Sequence, residues 1–296
     1  MRTKVIAQLG GGIGNQLFQY HAGQLLAQKL NKQLVLDDSA LQWEHANILR
    51  DGLGLPQSGL RAAVPEFFSQ IRIKNRKIHL IKKILRKLLI LLGIYKEINL
   101  YSDFNSTEKF IAFSERSTKR SIILKGTFNT SVIVERALNL GAKEIKPIKS
   151  LEYGEDFKKP IVMHVRLTDY VVDDRQKMIP PEYYEKGLSL AVKDFPDSPI
   201  WLFSDDPESA LDNFPKQFKN KLDFINDPKK NSDWDELQLM SVGCAYVIPN
   251  STFGFWAAFL SEASLVICPS PWFKGSPNPN DNIYFDFPAD WTQLNW

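Results

Sequence analysis

Residues 161–168 read IVMHVRLT, a strand-like apolar run that ends in an arginine and a polar turn. The same pattern recurs downstream, where apolar runs at 200–203, 222–225, 245–248 and 265–268 are separated by helical segments. The predicted helices cover residues 183–192, 236–244 and 252–262. Strands that alternate with helices at this spacing are typical of a doubly wound parallel sheet, so we predict an α/β fold.

The first half of the chain opens with a similar unit. Its predicted strands are at 4–9, 34–36 and 121–125, and its predicted helices are at about 15–30 and 131–140. A strand, a glycine-rich turn, a helix and a second strand in succession begin a parallel α/β domain. A stretch rich in prolines and charges at 145–160 predicts a junction. We therefore expect two domains, at 1–150 and 151–296.

The composition excludes several classes of protein. The chain has 296 residues, 44% of them hydrophobic, and a net charge of only +3, so it is expected to be globular and not to bind nucleic acid. No apolar run approaches the ~20 residues of a membrane span, which predicts a cytoplasmic protein. Cys244 and Cys268 lie in apolar runs, so we expect reduced thiols and no metal site.

Ligands of open parallel sheets bind at the carboxyl ends of the strands, and the polar residues there are candidate ligands. One predicted strand ends at Ile248, and its candidates are Asn250, Ser251, Thr252 and Phe253. The free N–H groups at a helix start favour a phosphate. The alternative is that these side chains only cap the helix. Arg166 ends another strand, and its guanidinium could stabilise a diphosphate leaving group.

Three further strand-end residues could recognise a nucleoside. His164 lies within its strand, and Asp205 and Asp206 follow another strand directly. Carboxylates suit guanine, which offers adjacent N–H donors, and they also suit ribose hydroxyls. The alternative for the two aspartates is capping of the next helix.

The glycine-rich turn at 10–14 predicts close backbone approach to a ligand, with Gly12, Asn15 and Gln16 as binding residues. It does not satisfy the Gly-x-Gly-x-x-Gly fingerprint of dinucleotide-binding proteins, because Asn15 stands at the last position. An oxidoreductase that binds a dinucleotide, with Asp37 on a ribose, is therefore the less favoured alternative class.

Several blocks resemble the α-1,2-fucosyltransferase family, glycosyltransferase family 11. They come in the family's order and span residues 5–38 and 161–291. The matching blocks are GGIGNQLFQY at 11–20, HVRLTDY at 164–170, PEYY at 181–184, FSDD at 203–206, LMS at 239–241 and NSTFGFWAA at 250–258. The second arginine of the family's His-Val-Arg-Arg motif is Leu167 here, and the following glycine is Thr168.

The resemblance implies a GT-B-like fold, in which two Rossmann-like domains face each other across a cleft. It also implies GDP-fucose as the donor, no metal and no cofactor, and inversion at the anomeric carbon. Arg166 would bind the donor diphosphate in the C-terminal domain, while the N-terminal domain would serve a glycan acceptor, free or lipid-linked. A transferase for another nucleotide sugar remains an alternative.

An inverting transfer also needs a base beside the acceptor hydroxyl. Asp169 and Asp174 follow Arg166 closely, and we name them with Arg166 as catalytic residues; Asp173, Asp37 and Asp38 are alternatives.

A basic amphipathic helix is predicted near 71–95. From Lys74 to Lys87 the sequence holds seven basic residues and no acidic residue, interleaved with Ile and Leu. Such a helix could dock on an anionic membrane, which would make the protein peripheral to the inner membrane. The alternative is a solvated helix that packs its apolar face on the first domain.

Overall fold

The structure is a computed structural model. It describes residues 3–38, 41, 49, 53, 84, 87–99, 107–116, 118–126, 129–142, 157–168, 178–274 and 285–296. The chain forms two compact units. The first comprises Met1–Glu144 with Ile283–Asp286, and the second comprises Ile145–Asn282 with Phe287–Trp296.

The first unit contains a parallel four-stranded sheet in the order β2-β1-β4-β3. Its strands are β1 (Lys4–Gln8), β2 (Gln33–Asp37), β3 (Tyr95–Asn99) and β4 (Ser121–Lys125). Its helices are α1 (Ile13–Lys29), α2 (Thr107–Ser114) and α3 (Ser131–Asn139). One face of this sheet packs against α1, α2 and α3 in a cluster that includes Val5, Leu25 and Ile122, and Ile6, Val35 and Ile123 form a second cluster. A two-residue strand β5 (Asn129–Thr130) pairs with β11 (Phe285–Asp286).

The second unit contains a parallel six-stranded sheet in the order β12-β10-β9-β6-β7-β8. Its strands are β6 (Ile161–Val165), β7 (Ile200–Ser204), β8 (Leu222–Ile225), β9 (Ala245–Val247), β10 (Leu265–Ser270) and β12 (Thr292–Asn295). The strand order reverses between β6 and β9, as it does at the switch point of the Rossmann fold. A crevice for ligands is expected at the carboxyl ends of these two strands.

The helices of the second unit are α4 (Pro181–Asp194), α5 (Pro207–Asp212), α6 (Asp233–Met240) and α7 (Thr252–Phe259), with a 3₁₀ segment at Lys216–Lys221. Helix α4 lies close against β9 because Gly187 has no side chain. A Cβ atom there would meet Val247 Cγ1 at 2.6 Å. All residues of β6 and β7 are buried, as expected for central strands covered on both faces.

The predicted fold class, α/β with two Rossmann-like units, is confirmed by these parallel sheets. The cleft expected between the units stays a prediction. Of the predicted basic helix near 71–95, only residues 84 and 87–95 are described, and 87–91 are helical. Within the described ranges, no helix combines the length and apolar character needed to cross a bilayer.

The predicted helix at 236–244 was wrong at both ends. Helix α6 begins earlier because the Ser232 side chain accepts a hydrogen bond from Asp235 N at 3.2 Å. It ends at Met240, and Gly243 lies so close to β6 that a Cβ atom would meet Val162 Cγ2 at 2.8 Å.

Candidate functional site

The candidate site of the second unit lies where β6 and β9 end. These two strands pair in parallel through Met163 and Val247, so their carboxyl ends are neighbours. His164 lies on β6, Arg166 follows that strand, and α7 begins a few residues after β9 ends. Of the strand-end groups that the sequence predicted, the structure thus places His164, Arg166 and the start of α7 at or after two adjacent strands.

The turn after β6 is held by one carboxylate. Asp205 Oδ1 accepts a hydrogen bond from Leu167 N at 2.9 Å, and Asp205 Oδ2 accepts one from Thr168 N at 2.9 Å. The Thr168 hydroxyl also donates to Oδ2. Arg166 Nε lies 3.3 Å from the same oxygen. Asp205 therefore binds the turn that carries Arg166.

Leu167 has an apolar environment. Its side chain is partly buried and packs against the hydrophobic cluster formed by β6, β7 and α4, which contains Met163, Tyr184 and Leu202. The position at which the family motif has its second arginine thus contributes to the core of this unit.

The start of α7 retains unused hydrogen-bonding capacity. The first helical bond runs from Phe255 N to Ser251 O at 3.0 Å, and the Ser251 side chain makes no capping hydrogen bond. The N–H groups of Thr252, Phe253 and Gly254 therefore have no intrahelical acceptor. Such a helix start favours an anion through these donors and through the helix dipole.

His164 lies directly beside this helix start. A Cβ atom on Gly254 would meet His164 Nδ1 at 2.5 Å, and the rings of His164 and Phe253 are 6.0 Å apart. Only 4% of His164 is exposed, and its Nδ1 has no hydrogen-bond partner among the described residues. Burial and the positive charge of Arg166 lower the pKa of His164 to about 3, so the ring is neutral near pH 7.

Asn250 and Asp206 have structural contacts of their own. Asn250 Nδ2 donates to the carbonyl oxygen of Trp272 at 3.0 Å and so fixes the segment after β10. Asp206 caps α5, where its carboxylate accepts from Ser209 N at 3.2 Å and from the Ser209 hydroxyl at 2.7 Å. Ligand binding by these two residues stays a prediction.

Asn226 was missed by the sequence reasoning, although it follows strand β8 directly. Its Oδ1 accepts from Ser204 N at 2.8 Å, its Nδ2 donates to Ser204 O at 2.9 Å, and Nδ2 also donates to Glu236. Burial, with the charges of Asp233 and Asp227, raises the pKa of Glu236. Asn226 thereby fixes the end of β7 from the neighbouring strand.

The glycine-rich turn belongs to the first unit, and side chains of α1 hold it. Gly10 N donates to Gln19 Oε1 at 2.9 Å, and Gln16 Nε2 donates to Gly11 O at 3.0 Å. Gly11 has a φ of +74°, and a Cβ atom there would lie 2.6 Å from Asn15 Nδ2. Gly12 is the N-cap of α1 and offers no side chain for capping. Contact of Gly12, Asn15 and Gln16 with a ligand stays a prediction.

The proposed base residues Asp169 and Asp174 lie outside the described residues. Among the residues that the structure does describe, no three His, Cys, Asp or Glu side chains come together as a metal site would require.

A family model identifies the class of this site. Residues 141–284, which contain β6 to β10 and the turn at Arg166, match the model of glycosyl transferase family 11. The resemblance found in the sequence motifs is therefore confirmed, and the match supports a glycosyltransferase.

Two curated relatives, both from Escherichia coli, align along nearly the whole chain. An alpha-1,2-colitosyltransferase is 24% identical over 307 aligned positions, which cover 98% of each chain. The O-antigen biosynthesis glycosyltransferase WbnK is 25% identical, over 90% of this chain and 94% of its own. Among solved structures, the fucosyltransferase NodZ from Bradyrhizobium matches with a TM-score of 0.48 and 15% identity, over 88% of this chain and 94% of that one.

Proposed function

We propose that this glycosyltransferase transfers fucose from GDP-fucose to a hydroxyl of a glycan acceptor, the 2-hydroxyl of galactose, with inversion at the anomeric carbon. One observation carries the proposal: an arginine held by Asp205 and an uncapped helix start follow the two adjacent strands, β6 and β9, at the switch point of a Rossmann-like sheet. Such a place offers both a cation and a set of N–H donors to a diphosphate.

Departure of the nucleoside diphosphate develops negative charge on the leaving group. Arg166 and the N–H groups at the start of α7 would stabilise that charge as the glycosidic bond to the diphosphate breaks. These groups would stabilise the charge of the leaving diphosphate without a metal ion. We therefore propose that the reaction requires neither a metal nor a cofactor. The acceptor hydroxyl would lose its proton to a carboxylate, with Asp169 and Asp174 as the candidates.

The nucleoside would bind beside the same helix start. His164 Nδ1 is buried without a partner among the described residues, which leaves it available to a polar group of the ligand. A neutral imidazole donates from one ring nitrogen and accepts at the other, so it suits a base or a ribose hydroxyl.

The donor sugar needs a direct test, because Leu167 replaces the family's second arginine and one relative is named for colitose. The purified chain is incubated with a galactoside acceptor and, in turn, with GDP-fucose, GDP-colitose, GDP-mannose and UDP-galactose. We expect transfer from GDP-fucose and an α-1,2 linkage in the product NMR spectrum. Transfer from GDP-colitose alone would mean that the donor is GDP-colitose and not GDP-fucose. Transfer from none of the four would contradict the proposed activity.

We further propose that the acceptor is lipid-linked and that the basic stretch at 71–94 contacts an anionic membrane. Large apolar side chains are exposed there: Leu91 is 83% exposed, Leu92 63%, Ile84 57%, Ile94 50% and Leu88 47%. The helical segment at 87–91 ends in a defined cap, with Gly93 N donating to Ile90 O and Ile94 N to Leu89 O, both at 3.0 Å. Apolar side chains beside a basic stretch are what an anionic lipid surface binds.

Vesicle co-sedimentation tests this contact. Wild-type protein should bind anionic vesicles and not neutral ones, and the binding should weaken with salt. A variant in which Lys82, Lys83, Arg86 and Lys87 become Gln should lose it. Equal binding to both kinds of vesicle, or binding that the variant retains, would contradict electrostatic docking.

A further inference from the structure

The carboxylate oxygens of Asp205 accept hydrogen bonds from neighbouring groups of the chain itself. A carboxylate has about four lone-pair positions. The two N–H groups of Leu167 and Thr168, the Thr168 hydroxyl and Arg166 Nε together approach both oxygens of Asp205. These four donors come from three consecutive residues, so little capacity is left for a base edge.

The carboxylate is held ionised by its partners. Burial alone would raise the pKa of Asp205, but the Thr168 hydroxyl, the Arg166 charge and the two backbone N–H groups lower it below its ordinary value. An ionised carboxylate accepts from all four donors at once, whereas the protonated acid would present an O–H to one of them.

The backbone on either side of Asp205 is also fixed. Ser204 is bound on both its N–H and its carbonyl by the buried side chain of Asn226. Asp206 N donates to Ser204 Oγ at 3.1 Å. The carboxylate therefore projects from an immobile segment, and its position determines where the turn of residues 166–168 lies.

This arrangement orients the guanidinium group of Arg166. Its Nε side faces Asp205, and because the guanidinium is planar, that contact fixes the plane in which the remaining N–H donors lie. A fixed plane matters for a diphosphate, since paired N–H donors bind phosphate oxygens only in the correct orientation.

We propose that Asp205 is a positioning residue for the diphosphate end of the donor, acting through Arg166, and that it does not read the guanine base. This inference rests on the proposed function for its ligand, but its structural half, the anchoring of residues 166–168, is independent of any donor.

The test uses the full-length variant Asp205→Asn with Asp223→Asn as the matched control, because Asp223 is an exposed carboxylate of the same sheet that contacts Trp201 Nε1 at 3.3 Å. Calorimetry with GDP and with inosine diphosphate, which lacks the guanine amino group, separates the two roles. A positioning role predicts that Asp205→Asn weakens both nucleotides by about tenfold, and that the ratio between them is unchanged. If the ratio of the GDP affinity to the inosine diphosphate affinity falls towards one in Asp205→Asn, Asp205 recognises the base and the proposal is wrong.

One further measurement tests the anchoring of residues 166–168 independently of any donor. In the unliganded protein, amide hydrogen exchange at Leu167 and Thr168 should become faster in Asp205→Asn and stay unchanged in Asp223→Asn. Unchanged exchange in both would overturn the proposal even if GDP binds as expected. If wild-type protein binds no GDP, the proposed function fails, while the exchange experiment still decides the role of Asp205.

A milder variant covers the case in which Asp205→Asn does not fold. Thr168→Val removes the hydroxyl that donates to Asp205 and keeps a side chain of the same size. It should shift GDP affinity and the exchange of these amides in the same direction by a smaller factor. No change in either quantity would count against the proposal. Adding Asp205→Asn to Arg166→Ala should cause no further loss of GDP affinity, since the arginine it positions is gone.

Discussion

Helices α6 and α7 both begin after a serine, and the two serines are used differently. Ser232 accepts from Asp235 N at 3.2 Å, and its hydroxyl donates to Asp235 Oδ2 at 2.6 Å, so the start of α6 is capped by its own side chains. Ser251 makes no capping hydrogen bond, and the residues that follow it include no acidic side chain in the first turn. The uncapped start of α7 leaves its first N–H groups for the external partner that we propose, and the burial of Phe255 and Trp256 stabilises this helix instead.

The largest expected effect tests whether the start of α7 works together with Arg166. Arg166→Ala should lower turnover by about 100-fold or more, because it removes a charge from the leaving-group site, while the melting temperature stays near that of wild type. Lys230→Ala is the matched control near the start of α6, where an exposed lysine pairs with Asp227, and it should change nothing. If Arg166→Ala retains more than about a tenth of wild-type turnover, Arg166 is not the group that stabilises the leaving diphosphate.

The second test concerns His164, which packs beside the start of α7. Its pKa is about 3 in the folded state and 6.5 ordinarily, so the unfolded chain binds a proton that the folded chain does not. Stability is therefore complete above about pH 6.5 and declines as the pH falls towards 3, by about 2 kcal/mol at pH 5 for this group.

Urea unfolding at pH 7 and pH 5 measures this loss. The variant His164→Gln should show a smaller loss than wild type, and the contribution of buried His21 is the same in both proteins. Equal losses would mean that His164 accepts a proton in the folded state.

The third test exchanges the roles of the two serines. Ser232→Ala should lower the free energy of unfolding by about 1 kcal/mol and leave GDP affinity unchanged, because it removes a helix cap. Ser251→Ala should do the reverse and weaken GDP binding by a few-fold with little change in stability, because its hydroxyl is available to a phosphate. Calorimetry and urea unfolding on both variants measure the two quantities. A loss of stability of the same size in both would remove the distinction between the helices.

The smallest expected effect is none at all. Transfer should continue at the wild-type rate in EDTA, because Arg166 and the α7 N–H groups would carry the charge that a metal ion carries in other transferases. An assay with EDTA, followed by addition of Mn²⁺ or Mg²⁺, measures this. Activity that disappears with EDTA and returns with either ion would require a metal in the mechanism.

The sequence predicted well those features that depend on local pattern. Strands β6, β7, β9 and β10 carry largely apolar runs that end in polar residues, so Arg166 and the start of α7 could be named as candidate site residues. By contrast, β12 has the polar sequence TQLN, and its place at the sheet edge depends on pairing with β10. Pattern alone could not find it.

The contacts of Asp205 lay beyond sequence reasoning for a different reason. Its partners Leu167 and Thr168 are 38 and 37 residues away, and only the parallel pairing of β6 with β7 brings the two strand ends together. The sequence could identify a carboxylate at a strand end but could not decide whether it faces a ligand or the neighbouring turn. Asp206, one residue later, is a helix cap, which was the alternative interpretation for both aspartates.

The packing of Leu167 makes an arginine unfavourable at this position. The leucine side chain fills part of the core between β6, β7 and α4. An arginine there would have to turn its charged end towards water and leave apolar neighbours less well packed, so a lineage making that change loses stability before it gains a contact with a donor. Proteins have only a small margin of stability. We therefore expect a change of donor sugar to arise from substitutions in the strand-end loops, which lower stability less than an arginine at position 167 would.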